Sequence, residues 1–377
     1  MDLKDTLVKL YVRKYVIPRA LIFDKPGFLD FKISGKTEIF ARQLIVPELF
    51  FVNFEKKLIE KFGQSGAKKL YSVGKRFGYS FAQLGRFENI NDNPGEAVKD
   101  WIIIATKFIE GTYAKNISQN IDVSSKTVEY SLTDFVVCEK LGYDYFLAQG
   151  GAAGVIAWIF QDSSIEGYLK GSSSKNDNYI CEVVCSPKDK LIDRFDSKDI
   201  LIENDLSGLE HDAASYNSFN SEVDLGVTTS FQTLLDTRTF EYNEGKVIYQ
   251  NNRFFLLEAT ALYMLEETFS GDMRKILADT AYEIGDTVIS QLSKGTITDI
   301  SEILTALGWG KVTILSTNPF KVVLEHFPWT RLSSKSDFVI ISNMLSGCLS
   351  RIAGKSCRFN KCLKDTSNGY LNILLES

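Results

Sequence analysis

Stretches with helical apolar spacing alternate along the chain with shorter stretches of strand spacing, and the whole pattern occurs twice. In DYFLAQGGAAGVIAWI (144–159) apolar residues fall at Tyr145, Ala148, Ala152, Val155 and Ile159. In DFVIISNMLSGCLSRI (337–352) they fall at Phe338, Ile341, Leu345, Cys348 and Ile352. Both series step three, four, three, four, which is one face of a helix. Asp144 meets Asp337 and Gly154 meets Gly347 at a common offset of 193 residues. KLYSVGKRFGYSF (69–81) likewise matches ILADTAYEIGDTV (276–288), with Leu70 on Leu277 and Gly78 on Gly285, at an offset of 207. Two blocks in the same order make an internal repeat. The drop in offset gives the first copy a net 14 more residues between its two helices, including the turn-rich FENINDNPGEAVKD (87–100).

The segments around these helices repeat too. LFFVNFEKKLIEKF (49–62) and RFFLLEATALYMLEETF (253–269) both predict buried helices that open on two aromatics. TVEYSLTDFVVCEK (127–140) and KVTILSTNPFKVVLEH (311–326) each read as a β-hairpin, and DNYICEVVCS (177–186) and GYLNILLE (369–376) as closing strands. A strand pair precedes each copy: FLDFKIS with TEIFARQLIV, and RTFEYNEGKVIYQ, whose central Gly suits a hairpin turn. The fold class is therefore α/β in the α+β sense, two tandem copies of an antiparallel sheet packed on helices, a pseudo-dimer within one chain. The boundaries are an N-terminal extension at 1–27, copy one at 28–190, a linker at 191–225 with its most polar part at 203–225, and copy two at 226–377.

Of the glycines in the first copy's DYF helix, only Gly154 recurs; Gly150 and Gly151 become Asn343 and Met344. A phosphate cradle would keep its glycines at a helix N-terminus. Small residues inside a helix instead admit a close neighbouring backbone or a ligand.

Composition narrows the chemistry. The 377 residues are 44% hydrophobic and 24% charged with a net charge of -5, which is ordinary globular composition and gives no basic run for nucleic acid. The 26 Phe and 16 Tyr leave stacking of single strands as a minor reading. No stretch approaches the roughly 20 apolar residues of a membrane span, and the N-terminus lacks the apolar core of a signal peptide. A cytoplasmic protein with free cysteines is expected. His211 and His326 are the two histidines, so any triad or histidine base would have to use one of them. Asp144 and Asp337 read as N-caps. Glu48, Glu55, Glu266 and Glu267 read as solvated helix faces.

A Gly-bearing helix, a hairpin, a DYF- or DFV-type helix with a central Gly and a Cys-containing final hairpin together resemble the 4-vinyl reductase domain, or hydrocarbon-binding domain. The resemblance covers roughly 28–190 and 226–377 as two copies. That family is similar in fold to the Bet-type subunits of the TRAPP tethering particle. Its members include the sensory modules of activators for phenol and xylene, and others are linked to bacteriochlorophyll synthesis. The resemblance implies a hydrophobic pocket between helices and sheet and a tendency to dimerise, which two fused copies would imitate. Some members carry a cysteine pair in the last hairpin that can hold a metal. Here that pattern is broken: copy one has Cys181 and Cys185, at a spacing that shares a strand face, and copy two has Cys357 and Cys362. A structural zinc needs four ligands. Buried, inert cysteine is the plain reading, with no cofactor expected and zinc the weaker alternative.

Tyr71, Phe77, Phe81, Tyr145, Ala152 and Trp158 are candidate ligand-binding residues in copy one, and Phe338 and Leu345 in copy two. Each is also an ordinary core residue type. No catalytic residue is assigned. The expected function is non-enzymatic binding of a small apolar or aromatic ligand between helices, with a sensory or regulatory role and a protein partner or homodimer. The alternatives are a tethering-like interaction module with filled pockets, and an enzyme or carrier acting on a tetrapyrrole or lipid. A transcription regulator is a further reading, but no helix-turn-helix segment is evident.

Overall fold

A computed structural model describes residues 20–34, 39–142, 145–175, 178–206, 223–243, 246–292, 296–329, 336–366 and 370–377. Asp144 and His211 lie outside them. The chain divides into two compact units, one holding the described residues between 55 and 206, the other 20–54 together with the described residues from 223 onward. The division differs from a cut into an N-terminal and a C-terminal half, because the strand pair ahead of copy one belongs to the unit built around copy two. The boundary falls inside the helix Glu48–Phe62 (α1).

Unit 1 runs α2 (Gln64–Leu84), α3 (Val98–Thr112), β4 (Asn116–Asp122), β5 (Thr127–Thr133), a helical turn α4 (Cys138–Leu141), α5 (Phe146–Phe160), β6 (Ile165–Lys175), β7 (Asn178–Pro187) and α6 (Lys188–Arg194). Its antiparallel sheet has the order β4-β5-β7-β6. The predicted hairpin at 127–140 is instead a single strand whose partner lies upstream, with Thr127 opposite Asp122. The turn between them is built by Asp122, which accepts the Ser125 amide and both serine hydroxyls.

Unit 2 holds β1 (Leu21–Ile22), β2 (Asp30–Ser34), β3 (Ile39–Pro47), α7 (Phe231–Asp236), β8 (Glu241–Asn243), β9 (Lys246–Tyr249) and β10 (Asn252–Glu258). It continues with α8 (Ala259–Thr268), α9 (Gly271–Ile284), α10 (Ile297–Ala306), β11 (Lys311–Thr317), β12 (Phe320–Glu325), α11 (Val339–Ala353), β13 (Lys361–Asp365) and β14 (Asn372–Glu376). Helix α9 is prolonged by a π-helical turn, Gly285–Ile289. The sheet β11-β12-β14-β13 repeats the strand order of unit 1, first, second, fourth, third. The hairpin at 311–326 and the closing strand are where the sequence places them.

A six-stranded sheet, β1-β2-β3-β10-β9-β8, joins the strand pairs that precede the two copies. At its centre β3 and β10 run antiparallel, Val46 opposite Phe255. The segment 253–269 is thus a strand followed by a helix, not one helix. Residues Phe254 to Glu258 are all buried, so both faces of the strand are covered, and such a run carries no alternation to betray it. Among the described residues no helix is long and apolar enough to cross a membrane.

The glycines fix how the helices pair. A Cβ on Gly154 would collide with the Lys75 carbonyl, and one on Gly78 with the Gly151 carbonyl. In unit 2 a Cβ on Gly347 would collide with the Tyr282 carbonyl, and one on Gly285 with that of Met344. The offsets of 193 and 207 carry each contact onto the other, so the repeat in sequence is a repeat in geometry. Gly74 and Gly150 add two more such contacts in unit 1 alone. The close neighbour that these glycines admit is backbone.

Candidate functional site

Helix α2 presents two faces with different chemistry. One carries Phe77 and Phe81, a turn apart, with ring centroids 5.9 Å from each other. Phe81 meets Phe87 at 5.5 Å, and Tyr79 meets Trp158 of α5 edge-on at 5.6 Å. The Trp158 indole donates to the Phe87 carbonyl at 2.9 Å, and Ile90 N–H donates to Ile159 O at 2.8 Å, so the loop after α2 is held down on the end of α5. All five rings are half-buried. Aromatic rings at these separations are in the range of favourable edge and offset contacts.

The repeat replaces this cluster. Phe77, Tyr79, Phe81 and Trp158 correspond to Ile284, Asp286, Val288 and Arg351. Ile284 and Val288 are buried, at 1% and 4% exposure. Four aromatic positions of unit 1 thus become aliphatic core or charge in unit 2.

The second face of α2 carries a buried polar cluster. The Tyr71 hydroxyl donates to Glu166 Oε2 at 2.6 Å and accepts the Gly167 amide at 2.8 Å. Lys75 Nζ lies 2.8 Å from Glu166 Oε1, and both side chains are fully enclosed. Lys75 also donates to the carbonyls of Glu203, at 2.7 Å, and Ser163, at 3.1 Å. Burial pushes the Glu166 carboxyl up and the Lys75 ammonium down, and each opposes the other's shift as ion-pair partner. Burial and the adjacent carboxylate together push the Tyr71 hydroxyl well up. Sequence reasoning missed Lys75 and Glu166. The signal available was a lone lysine on the stripe Ala67, Tyr71, Gly74, Gly78, Ala82, which is otherwise small and aromatic.

The remaining sequence candidates are scattered. Tyr145 is buried against Phe135, at 6.4 Å, and Ala152 is half-buried on α5. Phe338 and Leu345 have no exposure, and Phe338 stacks on Trp329 at 5.5 Å in the interior of unit 2. The backbone contacts at Gly74, Gly78, Gly150 and Gly154 leave no room for a ligand at the α2–α5 crossing itself.

Three acids expected to be solvated, Glu48, Glu55 and Glu266, are buried at 2%, 1% and 1% exposure. Asp337 is not a cap: it is exposed and pairs with Arg274 at 3.1 Å. Glu266 does that work, accepting the Ile340 amide at 2.7 Å and the Ser336 hydroxyl at 2.7 Å. His326, just past β12, packs its ring 4.1 Å from that of Tyr370, and burial lowers its pKa.

Cys181 and Cys185 are buried on β7 of unit 1, opposite Leu132 and Val128; Cys357 is buried and Cys362 half-buried in unit 2. Burial pushes the Cys185 thiol up to about 12 and those of Cys357 and Cys362 up to about 11. The thiolate is the metal-binding form. Among the described residues, no group of three or more His, Cys, Asp or Glu side chains converges as a metal site would require. A groove of about 350 Å³ opens beside β5 and α6, and several of its polar groups are already engaged. Arg194 donates to Glu129 at 2.7 Å, Lys190 to Ser125 O at 3.0 Å, and Asp122, held down to about 2, takes the turn hydroxyls.

No family model matches the chain, and no curated protein matches it. Among solved structures it is similar to the crystal structure of the phenol-responsive sensory domain of the transcription activator PoxR with phenol. The identity is 13% and the TM-score 0.33, over 50% of this chain and 93% of that one.

Proposed function

We propose that the protein is a non-enzymatic binding module in which the aromatic cluster of unit 1 takes a small apolar or aromatic molecule and signals its presence to a protein partner. The observation that carries this reading is two sets of half-buried rings, Phe77–Phe81–Phe87 and Tyr79–Trp158, joined where the Trp158 indole donates to the Phe87 carbonyl, with Phe77, Tyr79, Phe81 and Trp158 set where the repeat has buried aliphatics and charge. A repeat that folds with Ile284 and Val288 at these places has no structural need of rings there. Half-buried rings keep apolar area that a ligand can cover, at about 25 cal/mol per Å². The likeness to 4-vinyl reductase domains belongs to the same proposal, as does a regulatory role.

The test is native mass spectrometry of protein purified from its own host, joined to titration with phenol, toluene and naphthalene followed by tryptophan fluorescence. A retained small mass, and quenching that Phe77→Ala and Phe81→Ala both weaken, is the expected result. No retained mass and no response to any of the three probes would overturn it.

A second reading, an interaction module with filled interiors, is favoured by the backbone-to-backbone helix pairing in both units. Under it the same five rings are a protein contact, and deleting them releases a co-purifying partner without changing any small-molecule response.

A further inference from the structure

The Tyr71, Lys75 and Glu166 cluster is occupied by the chain itself. After α6 the segment 200–206 has no regular secondary structure, yet Ile200 and Leu201 are buried at 5% and 6% exposure. Ile200 and Ile202 pack on the cluster of Val184 and Leu191, whereas Leu201 packs with Ala67, Tyr71 and Ala153. Alternation of this kind marks an extended chain. At the next residue, Glu203 N–H donates to Glu166 Oε1 at 3.1 Å and Glu203 C=O accepts from Lys75 Nζ at 2.7 Å. Its carboxylate takes the Ser72 hydroxyl. The N–H and C=O of one residue point the same way only in extended backbone, as in antiparallel pairing. A buried lysine and glutamate here read the donor and acceptor of one main-chain residue, as a neighbouring strand would.

The fold does not require this arrangement. In unit 2 Lys75 corresponds to Tyr282 and Tyr71 to Ala278, and the Tyr282 ring is covered by the Arg358 guanidinium at 3.9 Å. Burying an ion pair is costly beside an apolar filling of the same volume. A cluster that the repeat does without, and that engages one extended segment through its main chain, is built for recognition.

We propose that Tyr71, Lys75 and Glu166 form a peptide-recognition site, that residues 200–206 are its built-in occupant, and that an extended peptide of the pattern aliphatic-aliphatic-aliphatic-Glu displaces them. The site reads the peptide's main chain at the glutamate, places alternate aliphatic side chains on the two apolar clusters, and offers Ser72 to the acidic side chain. Segment 200–206 then acts as a strap that keeps the site closed until a competing segment takes its place. The proposal is independent of the aromatic cluster and of any ligand there.

The full-length chain tests it in two ways. A fluorescein-labelled peptide ILIENDL, the sequence of 200–206, is titrated by anisotropy against wild type and against Glu203→Pro, which removes the strap's N–H donor. Binding at least tenfold tighter to the variant is the expected result. Hydrogen–deuterium exchange of the strap amides is then compared between wild type and the double variant Lys75→Met/Glu166→Met, which removes both charges together and leaves no orphaned ion. At least tenfold faster exchange across 201–205, with protection of α2 and β7 retained, is expected. Strap amides that open in Glu203→Pro without any gain in peptide binding would overturn the proposal. So would strap exchange that is unchanged in the double variant, a readout that holds even where Glu203→Pro fails to fold.

Discussion

Glu266 Oε1 accepts the main-chain N–H of Ile340 at 2.7 Å, and Glu55 Oε1 accepts that of Phe146 at 3.0 Å. The first turn of a helix leaves N–H groups without partners inside the helix. In each unit a buried carboxyl from a helix far back in the chain, Glu55 of α1 and Glu266 of α8, satisfies one of them, at places one residue apart by the 193 offset of the repeat. A local Asp or Ser usually serves here, and recruiting a distant acid ties the helix start to the core.

That arrangement makes unit 2 sensitive to pH. Burial raises the carboxyls of Glu258 and Glu266 to about 7. A folded-state pKa raised above the unfolded value means that the folded state holds the extra proton. Stability is then greatest below the unfolded pKa of about 4.5 and falls as pH rises to about 7. Each group contributes up to about 3 kcal/mol to that fall. Thermal melts between pH 4.5 and 7.5 should show Tm declining, with a flatter profile in Glu266→Gln.

Gly347→Ala should destabilise unit 2 by about 3 kcal/mol or more, because the added methyl meets the Tyr282 carbonyl rather than a side chain that can move. Gly354→Ala, at a helix C-terminus with φ 63° and nothing within 4 Å, should cost only about 1 kcal/mol through its backbone angle. Urea titrations of the two variants give the comparison.

Tyr71→Phe removes the hydroxyl that donates to Glu166 and accepts from Gly167. Leaving buried polar groups short of partners costs about 1–3 kcal/mol. The loss should appear in the denaturant midpoint with no change in slope.

Native protein should resist iodoacetamide at pH 7.5. Five of the six thiols are buried, and only Cys362 is half-buried, with its thiol pushed up to about 11. Mass spectrometry should find modification confined to Cys362, and all six thiols modified in guanidinium chloride.

The duplication was legible in the sequence because the residues that reveal it are held by backbone contact. At Gly78, Gly154, Gly285 and Gly347 no other side chain fits, so the spacing survives while the neighbours change. The strand Asn252–Glu258 was not legible, because a strand buried on both faces has the same apolar run as a buried helix. The polar cluster was half legible. Lys75 breaks an apolar stripe in plain view, but Glu166 opens a strand 91 residues later with nothing local to mark it. Glu55 and Glu266 look solvated in the sequence because the main-chain amides they accept leave no sequence trace.

The pairing of β3 with β10 has a consequence for how the chain matures. Val46 and Phe255 face each other across 209 residues of sequence. Strand β3 is synthesised and then waits, with one edge bare, while every described element of unit 1 is made. A contact of such sequence separation closes late and at a cost in loop entropy. Unit 1 has no such wait, since its described elements follow one another without interruption. During translation the nascent protein therefore carries a finished globule beside an unfinished sheet, and the interval before β10 emerges is when it is most exposed to mispairing with another copy.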